Sequence, residues 1–475
     1  MIKKTIRLIA MASAALLLLT ACANKNKTDN IDRSTPVLSI GDESVSFAMY
    51  KALFDNYLPY MQYSGHDPLE SESSLKSYRD WLVDILSDDL VTLYQAKQSG
   101  FKLTEEQEAQ LAADTENEIN DLYLNFMKVA EQEYSEDNSI PVSAYFDGIV
   151  NSESEYYTGV TMGWEDYKEY YRGQARNSAI VKAYREFVCS EFHPADDDIT
   201  DWYDSAVVND KAVYTANPER YKTDEEEFEQ YFGLRDGVTP VAYVPSGYSR
   251  MMQIVVSPEG ELSEEYSKKL DRMDEISREY GRLSFEDAVN GTDANASKMT
   301  ELVNEYKALK ESTDAEYEEY IKAAREKIEA AMSEIDEGKP FAEVMLKYTE
   351  DKRVVGDENS EGCKAFREKG ELISLKHTSS ADWSQTIKDE FKKLSLGERS
   401  DVFMEGGSFR IIYYASDETS GEVPLEAIYD DIKAVCTAAV QDEQWDALLT
   451  EWKKDPALKI NEELLNVVGK DSLKS

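Results

Sequence analysis

Met251-Met252-Gln253-Ile254-Val255-Val256 is a β-rich run that enters a different kind of domain from the helical stretch before it. Before it, from about residue 42 to residue 220, apolar side chains recur at three and four positions, the spacing of helices with one buried face. At 251–256 the periodicity is lost and β-branched residues take over, and the wider segment 238–257, which also holds Val241 and Tyr243, opens a sheet. A chain that runs helical, then strand-forming, then helical again predicts an α+β fold rather than regular α/β alternation.

Upstream of that switch, Val37-Leu38-Ser39-Ile40-Gly41-Asp42 predicts a short strand and turn, and Ser46 an N-cap for a helix carrying Phe47, Tyr50, Phe54 and Tyr57. A second helix over about 75–99 presents Leu82, Leu86, Leu90 and Leu93 on one face, with Gly100 as its C′ residue. Thr104 and Gln107 have capping-box spacing, and further helices are expected around 108–136, 163–172, 176–192 and 196–207. Downstream, residues 259–316 are charged, helix-prone and poor in large apolar side chains, with a loop near Asn290 to Ala296, and read as an insertion. From Tyr317 a helix buries Ile321, Ala324, Ile328, Met332 and Ile335 and ends at Gly338 before Pro340. Asp401–Met404 and Ser408–Ala415 read as two strands joined by Glu405-Gly406-Gly407. The tail returns to helix after Pro424, with Ile428, Ile432, Val435, Ala439, Trp445, Leu448 and Trp452 on one side, and the simplest partner for that face is the first helical lobe.

The amino terminus sets the compartment. Lys3, Lys4 and Arg7 precede an apolar run from Leu8 to Leu19, too short to span a bilayer and followed by Leu19-Thr20-Ala21-Cys22. This is similar to a bacterial lipobox, which implies cleavage after residue 21, lipidation of Cys22 and extracytoplasmic anchoring to the cell membrane. Residues 22–35 are polar and aperiodic, as a flexible tether would be.

Composition narrows the partners. The formal charge is -43, and residues 1–21 carry three basic and no acidic side chains, so the chain from Cys22 stands at -46. Such a surface repels a phosphate backbone and excludes nucleic acid as a partner. Cys189, Cys363 and Cys436 form no CxxC pair, and His66, His193 and His377 have no ligand spacing, so no metal and no cofactor are expected. Buried free thiols are the expectation, with a Cys189–Cys436 bridge as the alternative. Asp196-Asp197-Asp198 lacks calcium-loop spacing and suits a helix start. Tyr156-Tyr157 and Tyr170-Tyr171 offer apolar area with a polar tip, suited to a peptide-accepting cleft or to half-buried helix faces.

Several stretches, in order, resemble one family. Trp81 to Leu90, Gln95-Ala96-Lys97 and Gly100-Phe101-Lys102-Leu103-Thr104 look like the N-terminal chaperone lobe of parvulin-type foldases, the PrsA and SurA class of extracytoplasmic folding factors. Gly338-Lys339-Pro340-Phe341-Ala342-Glu343 and Lys347-Tyr348-Thr349-Glu350-Asp351 are similar to the parvulin helix and its active-site loop. Leu394-Ser395-Leu396-Gly397-Glu398, Val402 and Phe409-Arg410-Ile411-Ile412 are similar to its last helix end and final strands, and Leu458-Lys459-Ile460 fits the closing strand of the lobe. The resemblance implies a mostly helical lobe over 36–237, a parvulin-like domain of small antiparallel sheet and helices over 238–416 with 259–316 inserted, and a segment 417–475 returning to the lobe.

The same resemblance implies a centre of two histidines and a loop acid. The loop acid is Asp351, but Gln253 stands at the first-strand histidine and Arg410 at the last-strand one. Arg410 is expected to hold Asp351 ionised; Asp351 reads equally as a loop residue capping a helix or pairing with a surface base. The proline-pocket positions fall near Phe366, Leu372 and Ile387. Cys363, with no histidine near it in sequence, reads as a packed side chain rather than a nucleophile. The implied function is a membrane-anchored chaperone that binds unfolded exported polypeptides without cofactor or ATP. The alternatives are a peptidyl-prolyl isomerase with altered catalytic residues and, further off, a solute-binding lipoprotein, whose two α/β lobes this helical start does not match. The oligomeric state is left open.

Overall fold

The computed structural model describes residues 31–356, 360–379 and 382–469; the signal segment and Cys22 lie outside them. The chain is mostly helical with small antiparallel sheets, and it divides into two compact units, one formed by residues up to His193 together with those from Ala439, the other by Pro194–Ala438.

The first unit is organised on the strand Pro36–Ile40. It turns at Gly41, whose φ of 56° a glycine adopts without strain, to pair with Glu43–Ser46, while its other edge takes Lys459–Ile460 in antiparallel register, Leu38 opposite Ile460. Segments 36–46 and 459–460, far apart in sequence, thus share one three-stranded sheet. Ser46 accepts from the Met49 amide and starts the helix Phe47–Tyr63. Glu72–Ser99 follows, closed by Gly100 at φ 70°, and the reciprocal Thr104–Gln107 capping box opens Glu105–Glu136. Val37, Leu38, Ile40, Phe47, Phe54 and Leu82 are buried together with Trp445 and Leu449 from the last long helix, Leu425–Trp452, and with Leu465 and Val468 beyond it. A second cluster of Phe126, Phe146, Val150 and Tyr167 joins Glu105–Glu136 to Val142–Thr158 and Trp164–Cys189. The expected break near residue 173 does not occur. Trp164–Cys189 is one helix, because an interior glycine costs only about 1 kcal/mol and the packed turns on either side outweigh it. Tyr156 is half exposed, whereas Tyr167 is packed; Cys189 is buried and unpaired.

In the second unit, Asp198 accepts from the Ala195 amide at 2.8 Å and starts the helix Asp196–Ala216, so the acidic triplet is helix-start chemistry. This helix and Glu219–Tyr231, expected within the first lobe, pack here instead: Ile199 and Val207 meet Ala242 and Ile432, and Tyr214 and Tyr221 meet Val241, Val244 and Tyr248. Cys436, also buried and unpaired, lies in the first of these clusters.

The sheet of this unit has four antiparallel strands in the order Glu371–Ile373, Ser249–Val256, Ser408–Asp417, Phe403–Glu405. Gly406 and Gly407, both at positive φ, make the tight turn between the last two in sequence. One face carries Met252, Ile254, Val256, Phe409 and Ile411 under Ile321, Ala324 and Ile328 of the helix Ala296–Asp336 and under Phe341, Val344 and Met345 of Phe341–Tyr348. The other face packs Met251, Ile373 and Ile412 against Trp383, Ile387 and Phe391. The charged segment forms the helix Glu264–Asn290 antiparallel to the first half of Ala296–Asp336, the latter running unbroken from the insertion onto the sheet.

Candidate functional site

Strand alternation places the polar side chains. Along Ser249–Val256, Met252, Ile254 and Val256 enter the helix-covered core, so Met251 and Gln253 point to the opposite face. Residues directly opposite in an antiparallel pair share a face, and the register sets Met251 against Glu371, Gln253 against Ile412 and Val255 against Arg410. Glu371, Gln253 and Arg410 therefore stand side by side on three adjacent strands. Phe403, opposite Arg410 on the edge strand, extends the same face, and Glu405 follows it on that strand.

Asp351 reaches this face from the loop after Phe341–Tyr348. Its side chain caps the one-turn helix Lys352–Val355, accepting from the Arg353 amide at 3.0 Å. The same carboxylate takes a bidentate grip from the Arg353 guanidinium, Nε to Oδ1 at 3.1 Å and Nη2 to Oδ2 at 2.7 Å, and Arg353 Nη1 continues to Glu371 Oε2. Gln253 bridges the strands. Its Nε2 donates to Glu371 Oε1 at 2.8 Å and reaches Asp351 Oδ2 at 3.4 Å, while its Oε1 accepts from Arg410 Nη1 at 2.6 Å. Arg410 Nε lies 3.0 Å from Glu405 Oε2.

Two guanidinium groups thus face three carboxylates across one amide. Burial works to raise the Asp351 carboxyl, but the hydrogen bonds and charge of Arg353 outweigh it and hold the group below the usual carboxylate range. Glu371 is more deeply enclosed, and burial pushes it up to about 7 against the pull of Arg353. The expected role of Arg410 falls mainly to Arg353, which grips the loop acid directly, while Arg410, bound to Gln253 and Glu405, adds a smaller charge effect in the same direction. Arg353, Glu371 and Glu405 were not singled out by sequence. A charge beside Leu372-Ile373 in a three-residue core strand was the available signal for Glu371.

Chemically, the centre of the network is committed within the protein. Both amide protons of Gln253 and its carbonyl are committed inside the protein, which leaves that side chain no donor for the oxygen of a twisted substrate amide. Two of the histidines contact other groups: the His377 ring lies 6.0 Å from that of Tyr248, and His66 faces the Ser64 carbonyl. The expected pocket residues are not brought together. Phe366 is in the helix-covered core, Leu372 among Tyr214, Tyr221 and Tyr248, and Ile387 with Trp383 and Phe391 on the other face, each less than a tenth exposed. Their apolar surface is used in three separate cores. Cys363 is partly buried on Glu361–Glu368, and its amide is capped by Ser360. A cavity of about 570 Å³ opens beside the Phe341–Tyr413 ring stack, bordered by Met252 and Ala415 from the face away from Gln253. Among the described residues no group of His, Cys, Asp and Glu has metal-site geometry, and no helix is long and apolar enough to cross a membrane.

No family model and no curated protein matches the sequence. Among solved structures the chain is similar to PrsA from Bacillus subtilis, at 9% identity over 92% of this chain and 100% of that one with a TM-score of 0.27. It is also similar to the foldase protein PrsA from Streptococcus pneumoniae, at 12% identity over 83% and 90% with a TM-score of 0.23.

Proposed function

We propose that this chain is a membrane-anchored extracytoplasmic folding factor that binds unfolded exported polypeptides, and that its sheet unit serves as a binding scaffold rather than as a proline isomerase. The observation that carries the second half is the Gln253–Arg410 hydrogen bond, which ties together the two positions where the family resemblance implies histidines and closes them into an ion network. Rotation about X-Pro bonds faces a barrier of about 18–20 kcal/mol, and lowering it needs dipoles held free for the substrate. Here they are held for one another. The anchoring half rests on the lipobox-like Leu19-Thr20-Ala21-Cys22, and Cys22→Ser should release the protein from the membrane fraction.

The test pairs two assays on the chain from Ala23: cis/trans exchange in an X-Pro peptide, and suppression of aggregation of an unfolded client. Unchanged exchange with suppressed aggregation supports the scaffold reading. A second reading, an isomerase with altered residues, is favoured by one feature, the approach of Asp351 to within 3.4 Å of the Gln253 amide as the implied loop acid. It requires acceleration that Asp351→Ala abolishes. If neither activity appears, both readings fail.

A further inference from the structure

We infer that the helical arm formed by residues 264–316 ends in a contact site for unfolded polypeptide, made by Phe285 and Val289 and selective for apolar segments flanked by basic residues. This rests on the reading of the chain as a binder of unfolded clients. The arm is the antiparallel pair of Glu264–Asn290 with the first half of Ala296–Asp336, and from Glu316 to Ala296 that second helix advances about 30 Å at 1.5 Å per residue. Its own core is thin, consisting of Ile276, Leu283 and Leu302 with Met299, Tyr306 and Leu309 against it. Elsewhere its shaft is laced with ion pairs, Lys269 to Glu316 at 2.9 Å, Arg272 to Glu305 at 2.7 Å and Lys310 to Asp314 at 2.6 Å.

The distal end departs from that pattern. Phe285 and Val289, one turn apart on one face, are 71% and 66% exposed. Ala288 beside them is exposed, and Gly281, one turn before Phe285, leaves open space where a side chain would stand. Isolated apolar residues on a surface are ordinary; two large ones at i, i+4 on a charged shaft form a patch. The end that carries them is also ordered. Gly291 at φ 64° closes the first helix, and the buried Asp287 carboxylate accepts from Thr292 Oγ1 at 3.1 Å, from the Asn295 amide at 3.0 Å and from Asn295 Nδ2 at 3.0 Å. A fraying tip would lose the patch; this loop pins it.

Charge selects the occupant. Residues 264–316 hold 14 acidic and 8 basic side chains in a chain of formal charge -43, so a second copy and an anionic lipid surface are both repelled. An apolar segment with lysine or arginine at its flanks buries the patch and is attracted by its surroundings.

The experiment uses the chain from Ala23, with and without Phe285→Ser/Val289→Ser, and a fluorescent peptide with an apolar centre flanked by lysines. Both replaced side chains are exposed, so far-UV circular dichroism should be unchanged. We expect at least fivefold weaker peptide binding by the double variant, weaker binding by wild type to a glutamate-flanked peptide, and crosslinking to the peptide from a photoreactive residue at 285 but not at 275. Client binding by wild type that the double variant retains overturns the arm assignment and leaves the chaperone reading standing. Absence of client binding by wild type overturns both. Loss confined to phosphatidylglycerol vesicle binding, or to self-association in sedimentation, assigns the patch to those partners and overturns the inference.

Discussion

Arg410 on one central strand donates to the side-chain carbonyl of Gln253 on its neighbour at 2.6 Å, two positions along the register from its direct partner Val255. That diagonal contact decides how the face works. Gln253 is 2% exposed, so its amide, with a cation on one side and Glu371 on the other, is a strut between strands rather than a group presented to solvent.

Arg353 is the keystone on the loop side. At pH 8, above the value of about 7 to which burial lifts Glu371, Arg353→Ala leaves that carboxylate, only 6% exposed, and Asp351 without the guanidinium that holds both. Stranding a fully buried charge costs about 3–5 kcal/mol, and the half-exposed Arg353 side chain brings the expectation down to about 2 kcal/mol in urea unfolding. Adding Glu371→Gln to that variant removes one of the two stranded charges and should recover part of the loss. Additive losses in the double variant would mean that the two residues do not act as a pair.

Much of the architecture is legible residue by residue. Ser46, the Thr104–Gln107 box, Gly100 and the Gly406-Gly407 turn are local signals, each acting within a few residues, and each stands where sequence reasoning puts it. The strand at 251–256 is legible for the same reason. The site is less so. Whether Asp351 meets Arg410 or Arg353 depends on the reach of side chains across a loop, and a bidentate partner two residues away leaves no periodic trace. Phe366, Leu372 and Ile387 are apolar as a pocket lining would be, but a side chain packed into a core has the same sequence signature as one lining a groove. The helix passing through Gly173 shows tertiary packing overriding a local breaker.

Two carboxyls make stability fall as neutral pH is crossed. Burial raises Glu225, beside Arg250, Glu229 and Glu418, to about 7, and it raises Glu371 to about 7. A carboxyl whose folded value lies above its ordinary 4.5 binds more protons folded than unfolded in between, so its contribution is fully present below 4.5 and is lost as pH rises through 7. Asp351, lowered from 3.8, acts oppositely and only in stronger acid. Thermal melts at constant ionic strength should therefore show Tm dropping between pH 5 and pH 8, roughly the span these two groups cover. Glu225→Gln and Glu371→Gln should each flatten the drop, which then belongs to these two buried groups. An unchanged slope in both buried variants would refute the assignment.

Residues 459–468 close the first unit, and that closure can be measured. Lys459–Ile460 completes the sheet edge on Pro36–Ile40, and the following turn delivers Leu465 and Val468 into the core, 4% and 1% exposed. Arg79, itself buried, donates from Nε to the Val468 carbonyl at 3.0 Å and from Nη2 to the Asn466 carbonyl at 3.1 Å, satisfying groups that the short helix Glu462–Leu465 cannot. Leu465→Ala removes a packed side chain and leaves a cavity, for an expected cost of about 2–5 kcal/mol. Arg79→Ala leaves those carbonyls without donors, at about 1–3 kcal/mol. The two replacements act on one docked segment, so the double variant should lose less than the sum, because undocking the segment once forfeits both sets of contacts. Losses below about 0.5 kcal/mol for each, within the range of ordinary surface changes, would mean that the first unit stands without its terminal segment.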